Sequence, residues 1–168
     1  MENAINAALS GQIAAVTTGP LNKEALNAAE IPYPGHTEIF TALTHAERSC
    51  MLQYSSEVRC VLVTTHVPYS EVPKLLTTER ILDTIELGAQ AMRRIRAGEP
   101  RIGVLGLNPH AGEHGLFGKE EAQVVIPAIE TARERDLDVE GPIPPDLLPR
   151  PLPLPPADRI VYLAHVGH

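Results

Sequence analysis

Three runs in this chain are apolar on both faces, and each leads into a histidine. They are Arg59–Thr65 (RCVLVTT) before His66, Arg101–Leu107 (RIGVLGL) before Asn108-Pro109-His110, and Asp158–Ala164 (DRIVYLA) before His165. A strand with no polar alternation is buried on both sides, which is the condition of a parallel sheet covered by helices. Helical patterns fall between these runs, over Asn3–Leu9, Asn22–Ala29, Thr37–Leu43, Thr77–Ala97 and Lys119–Arg135. Strands alternating with helices predict an α/β fold with a largely parallel sheet. Two further strands are expected at Gln12–Thr18 and Cys50–Tyr54, and Pro127 is expected to kink or divide the last helix.

The 168 residues suit one lobe over 1–168, or a piece of a larger protein. With 43% hydrophobic residues but only 4% aromatics and no Trp, the core must come from Leu, Ile, Val and Ala. Gly141–Pro156 is dense in proline and reads as an extended segment within that lobe. A formal charge of −7 and the lack of any basic cluster argue against nucleic-acid binding. The amino terminus has no basic signal region, and no apolar run is long enough to cross a bilayer. Cys50 and Cys60 form no C-x-x-C pair and sit among apolar residues. The expectation is a reduced, cytoplasmic protein with no membrane partner.

The least ordinary stretch is Gly103–Gly118 (GVLGLNPHAGEHGLFG). It begins as a strand, turns at Asn108-Pro109 and sets His110 just past the strand's carboxyl end. Ligands of α/β sheets sit in the crevice outside those ends. The surrounding glycines let backbone approach a ligand closely. The alternative is a Gly-rich surface turn with solvated histidines. For His66, His110 or His165 taken singly, a hydrogen-bonded strand-end side chain explains the residue. Taken together, three histidines in one register suggest ligands of a divalent first-row ion such as Zn, with an open position. His110-Ala-Gly-Glu-His114 has the wrong order for a helical zinc motif, and Gly112 and Gly115 oppose a helix there. No dinucleotide fingerprint, P-loop or nucleophile elbow occurs.

Four stretches, VTTGPLNKEALNAAEIPYPGHTE, VLVTTHVPYSEV, GLNPHAGEHGLFGKEE and GPIPPDLL, resemble in order and spacing the 4-hydroxythreonine-4-phosphate dehydrogenase family of pyridoxal phosphate biosynthesis. The resemblance runs from about Asn3 to His165. It implies an α/β/α lobe of the isocitrate/isopropylmalate dehydrogenase-like kind and a homodimer. It further implies a divalent metal (Zn, Mg, Mn or Co) held at the subunit interface by residues matching His66, His110 and His165. The family's substrate-binding His-Thr pair matches His36 and Thr37, with His36 orienting the substrate or relaying a proton. Asn22 and Lys23, near a helix start, are candidates for the phosphate or carboxylate. The implied reaction is NAD-dependent oxidation of 4-phosphohydroxy-L-threonine to its 3-keto acid, which loses CO₂ to give 3-amino-2-oxopropyl phosphate. A related four-carbon sugar-acid phosphate is the alternative substrate, and a metal-binding, dimerising lobe without turnover is the alternative role. The family pattern continues past its third histidine as His-Asp-Gln-Gly, whereas Val166-Gly167-His168 follows His165 here. Glu30 replaces the glycine usual before Ile-Pro. The expectation is a truncated member holding the central, metal-bearing portion, with the residues for NAD not identifiable.

Overall fold

The computed structural model describes residues 1–33, 35–55, 59–96, 98–145 and 159–163, without the side chains of Lys23 and 159–163. The chain divides into two compact units, Met1–Ser49 and Cys50–His168.

The first unit is helical. Helix α1 (Glu2–Leu9) opens with an acidic residue, which suits the positive end of a helix. It contacts α3 (His36–Thr44), and Ile5 and Ile39 are the buried side chains of the two helices. Between them α2 (Lys23–Ala28) is started by Asn22, whose side-chain oxygen accepts the Ala25 N–H at 2.9 Å. Helix α3 begins directly after Gly35 and ends at His45 in the left-handed conformation (φ 54°). Thr41 Oγ1 lies 2.7 Å from the Thr37 carbonyl it donates to and 2.8 Å from Ser49 Oγ.

Gln12–Thr18 is not the buried strand that its composition predicts. The segment is irregular and mostly exposed, with Ile13 at 40%. A β-rich run becomes a strand only when another strand takes up its backbone groups, and none of the described strands pairs with this one.

The second unit is built on a five-stranded sheet of order β1-β2-β5-β3-β4, from β1 (Met51–Tyr54), β2 (Arg59–Leu62), β3 (Arg101–Leu105), β4 (Val139–Ile143) and β5 (Arg159–Leu163). Strand β1 runs antiparallel to β2, and the other four strands are mutually parallel. The last strand in sequence lies centrally, with Leu62 opposite Leu163 on one side and Val104 opposite Tyr162 on the other.

After the short helix α4 (Val72–Leu75), helix α5 (Thr78–Ile95) is capped by Thr77, which accepts the Arg80 N–H at 3.1 Å. Its buried stripe of Ile81, Leu82, Ile85, Ala89 and Met92 joins Ala128, Ile129 and Ala132 of α6 (Ile126–Glu134) in one cluster. Val61, Ile102, Val104 and Val139 join that cluster from the sheet, with Val63 just past the end of β2. Cys60, Leu62 and Leu105 alternate to the opposite face and are buried as well. The absence of polar alternation in these strands is thereby explained.

Pro127 divides the predicted Lys119–Arg135 helix. A π-helical turn (Glu121–Val125) comes first and α6 restarts with Pro127 in its first turn, where the missing N–H leaves no gap. The proline-dense segment is part of the sheet at its start. Residues 139–143 form the edge strand β4, with Pro142 where an absent donor is tolerated. Residues 146–156 lie outside the described set.

Ile85 is fully buried, so Ile85→Ala is expected to cost about 2–5 kcal/mol in urea unfolding. Leu75→Ala, at a side chain 46% exposed, should stay within about 0.5 kcal/mol.

Candidate active site at the carboxyl edge of the sheet

Because β2, β5 and β3 are adjacent and parallel, their carboxyl ends lie side by side at one edge. From β2 the chain passes through Val63 and the buried Thr64 to His66, an exposed residue at φ 57°. Arg80 in the first turn of α5 donates its Nε to the Val63 carbonyl at 3.0 Å, tying the helix start to this strand end. From β3 the chain passes through Gly106 to Asn108-Pro109-His110, and His110 is also exposed, at φ 53°. His165 follows β5 after Ala164 and lies outside the described residues. Among the described residues no group of three or more His, Cys, Asp or Glu could hold a metal ion.

The segment after β3 is tightly made. Gly106 N donates to the Ile143 carbonyl of β4 at 2.9 Å. Glu121, only 4% exposed, then takes over: its Oε1 accepts the N–H groups of Leu107 and Asn108, each at 2.8 Å, and its Oε2 accepts Asn108 Nδ2 at 2.9 Å. The same Nδ2 donates to Glu120 Oε2 at 2.8 Å. Thr78 Oγ1 donates to the Val124 carbonyl at 3.3 Å, so α5 also steadies the π-helical turn that carries Glu121.

Beyond Pro109 the backbone winds left-handed. His110, Ala111, Gly112, Glu113 and His114 all have positive φ, between 39° and 80°. Each such non-glycine residue costs about 1–2 kcal/mol relative to ordinary backbone. Gly112 has no substitute here, since a Cβ would lie 2.6 Å from Glu121 Oε2. The imidazole of His110 packs against Phe117, ring centroids 5.9 Å apart and tilted by 51°. His110 and His114 are therefore not one right-handed turn apart, and the geometry of a helical zinc motif does not arise.

The remaining predicted residues belong to the first unit. His36 and Thr37 open α3, both partly buried. His36 Nε2 is buried and makes no hydrogen bond among the described residues, and Glu38 Oε2 shares that state. Asn22 caps α2, and its side-chain oxygen is engaged with Ala25. His45 is an exposed helix terminus.

The model of the family described as pyridoxal phosphate biosynthetic protein PdxA matches residues 1–165. The chain belongs to this family. Among PdxA relatives it is 45% identical over 140 residues to 4-hydroxythreonine-4-phosphate dehydrogenase of Geobacter metallireducens, covering 83% of this chain and 41% of that protein. It is 42% identical over 146 residues to D-threonate 4-phosphate dehydrogenase of Salmonella typhimurium, covering 87% of this chain and 45% of the relative. The crystal structure of 4-hydroxythreonine-4-phosphate dehydrogenase from Klebsiella pneumoniae superposes with a TM-score of 0.82 at 38% identity, over 96% of this chain and 49% of that one. The chain thus spans about half the length of the PdxA proteins it matches. No described helix is long and apolar enough to cross a membrane.

Glu121 was not singled out by motif. A signal exists, because it falls in step with Val125, Ala128 and Ala132 on the buried side of the helical pattern. A carboxylate there must find donors or be expelled.

Two measurements test this loop. Glu113 is exposed at φ 39°, so Glu113→Gly should raise stability by up to about 1 kcal/mol in urea titration. The Asn108 amide, aided by the backbone N–H groups of Glu120 and Lys119, holds the Glu120 carboxyl below its ordinary value. A depressed carboxyl adds stability above its unfolded pKa and loses it as pH falls through the folded one. The stability advantage of the native chain over Glu120→Gln should therefore be present at neutral pH and vanish on acidification.

Proposed function

We propose that this chain carries the metal-bearing part of an NAD-dependent 4-hydroxythreonine-4-phosphate dehydrogenase. The observation that carries the reading is the placement of β5 between β2 and β3, which sets side by side the carboxyl ends of the three strands that His66, His165 and His110 follow in sequence. Three neutral imidazoles are an apt donor set for Zn or another divalent first-row ion with a position left open. His66, His110 and His165 would hold the cation, which when bound supplies positive charge beside the alcohol oxygen of the substrate.

His36 and Thr37 bind the substrate in this reading. The support is that Nε2 of His36 is buried with no hydrogen-bond partner among the described residues, a state that buried polar atoms rarely keep without a functional reason. His36 orients the hydroxy acid and holds or passes the proton that leaves its hydroxyl. Oxidation gives the 3-keto acid, which loses CO₂ to yield 3-amino-2-oxopropyl phosphate for pyridoxal phosphate synthesis. The remaining parts of the proposal are a cytoplasmic homodimer with the cation at the interface and an isocitrate dehydrogenase-like α/β/α lobe.

A second substrate has its own support. Relatives named for D-threonate 4-phosphate match about as closely as those named for 4-hydroxythreonine-4-phosphate. The two acids differ in a hydroxyl against an amino group beside the carboxylate. Incubation of the chain with NAD, a divalent cation and each acid in turn, followed by NADH absorbance, distinguishes them. NADH formation with one acid, abolished by chelation and reduced about 100-fold or more in His66→Ala and His110→Ala, is the expected result. No NADH, together with cation binding that is lost in His110→Ala, would instead support the metal-binding lobe without turnover.

A further inference from the structure

We propose that Glu121 is a positioning residue for His110, holding the strained turn that presents this imidazole at the sheet edge. The inference rests on the reading of His110 as a cation ligand.

Among the described residues, three hydrogen bonds reach the Glu121 side chain, all from Leu107 and Asn108, the residues that lie between Gly106 and Pro109-His110. On the far side of His110, Oε2 occupies the space a Cβ would need at Gly112. One carboxylate therefore bounds the turn both before and after the histidine. Left-handed backbone at four non-glycine residues persists only where its surroundings leave no alternative. Glu121 is the buried group that meets this stretch from inside, while His110 itself remains exposed.

The chemistry of the clamp is specific. Two oxygens of a carboxylate accept without donating, and three N–H donors face them. A glutamine in the same place could keep Oε1 on the two backbone N–H groups. Its amide nitrogen would then confront Asn108 Nδ2, donor against donor. Burying a carboxylate is costly when a neutral side chain can close a turn. The cost is understandable if what matters is the exact direction in which the turn sends His110. Groups that orient a metal-ligating histidine commonly alter metal affinity by about 10–100-fold when replaced.

The test uses the full chain and cobalt(II) alone as probe. Affinity is read from the visible absorption of the bound ion, and thermal unfolding is followed without metal. Glu121→Gln is expected to weaken cobalt binding by about tenfold or more and to change its spectrum, with the metal-free chain still folding cooperatively. Asn108→Ala removes only the side-chain donor and keeps both backbone bonds. It should weaken binding by a smaller factor, and it serves as the readout if Glu121→Gln does not fold. Backbone amide resonances of Leu107 and Asn108 should lose their hydrogen-exchange protection in Glu121→Gln before those of β3 do. Cobalt affinity within twofold of the native chain in the folded variants overturns the positioning role, provided His110→Ala still abolishes binding. If His110→Ala binds cobalt normally, the ligand assignment itself fails, whatever Glu121 does.

Discussion

The constraint on which this structure turns is the pairing of β5 on both of its sides. Strands β2 and β3 do not touch each other, and the backbone groups on their facing edges are satisfied by a segment from the far end of the chain. An unpaired N–H or C=O buried at such an edge costs about 1–3 kcal/mol, so the gap cannot stay open in a folded sheet. The pairing is parallel, and this orientation brings three carboxyl ends to one edge. A chain with the same strands in antiparallel order would have scattered those carboxyl ends to opposite edges of the sheet.

The second level of organisation is the loop after β3. Its backbone is unfavourable by itself, and it is stabilised from a neighbouring element rather than from within. The π-helical turn ahead of α6 brings Glu121 inward, Pro127 marks where the regular helix resumes, and Thr78 ties that turn to α5. Strain at a surface loop, a buried carboxylate beneath it and glycines where side chains would collide are mutually consistent. Remove any one and the other two lose their reason.

Much of the second unit was legible in residues alone. Unbroken apolar runs at 59–65 and 101–107 announced strands buried on two faces, the run at 158–164 announced β5, and the 3.6-residue stripe of 77–97 announced a long helix with Thr77 before it. The first unit shows the limit of that reading. Gln12–Thr18 has strand composition but no described strand to pair with, so composition alone misleads there. At Val139–Ile143 the error runs the other way, because proline and glycine hid an edge strand whose pairing is set by β3. His110 could be picked out by its place beside Asn-Pro and its glycines, whereas Glu121 looked like any glutamate of an acidic helix start.

By itself the sequence determined the principal helices, the strands β2, β3 and β5, the two-faced burial of β2 and β3, and the points in the chain at which histidines follow those strands, since these follow from local periodicity and turn chemistry. Only the tertiary structure decided strand order, the left-handed course of residues 110–114 and the burial of Glu121. The physical reason is common to all three. Each depends on hydrogen-bond donors and acceptors supplied by residues distant in the chain, and no local pattern records where those partners will be.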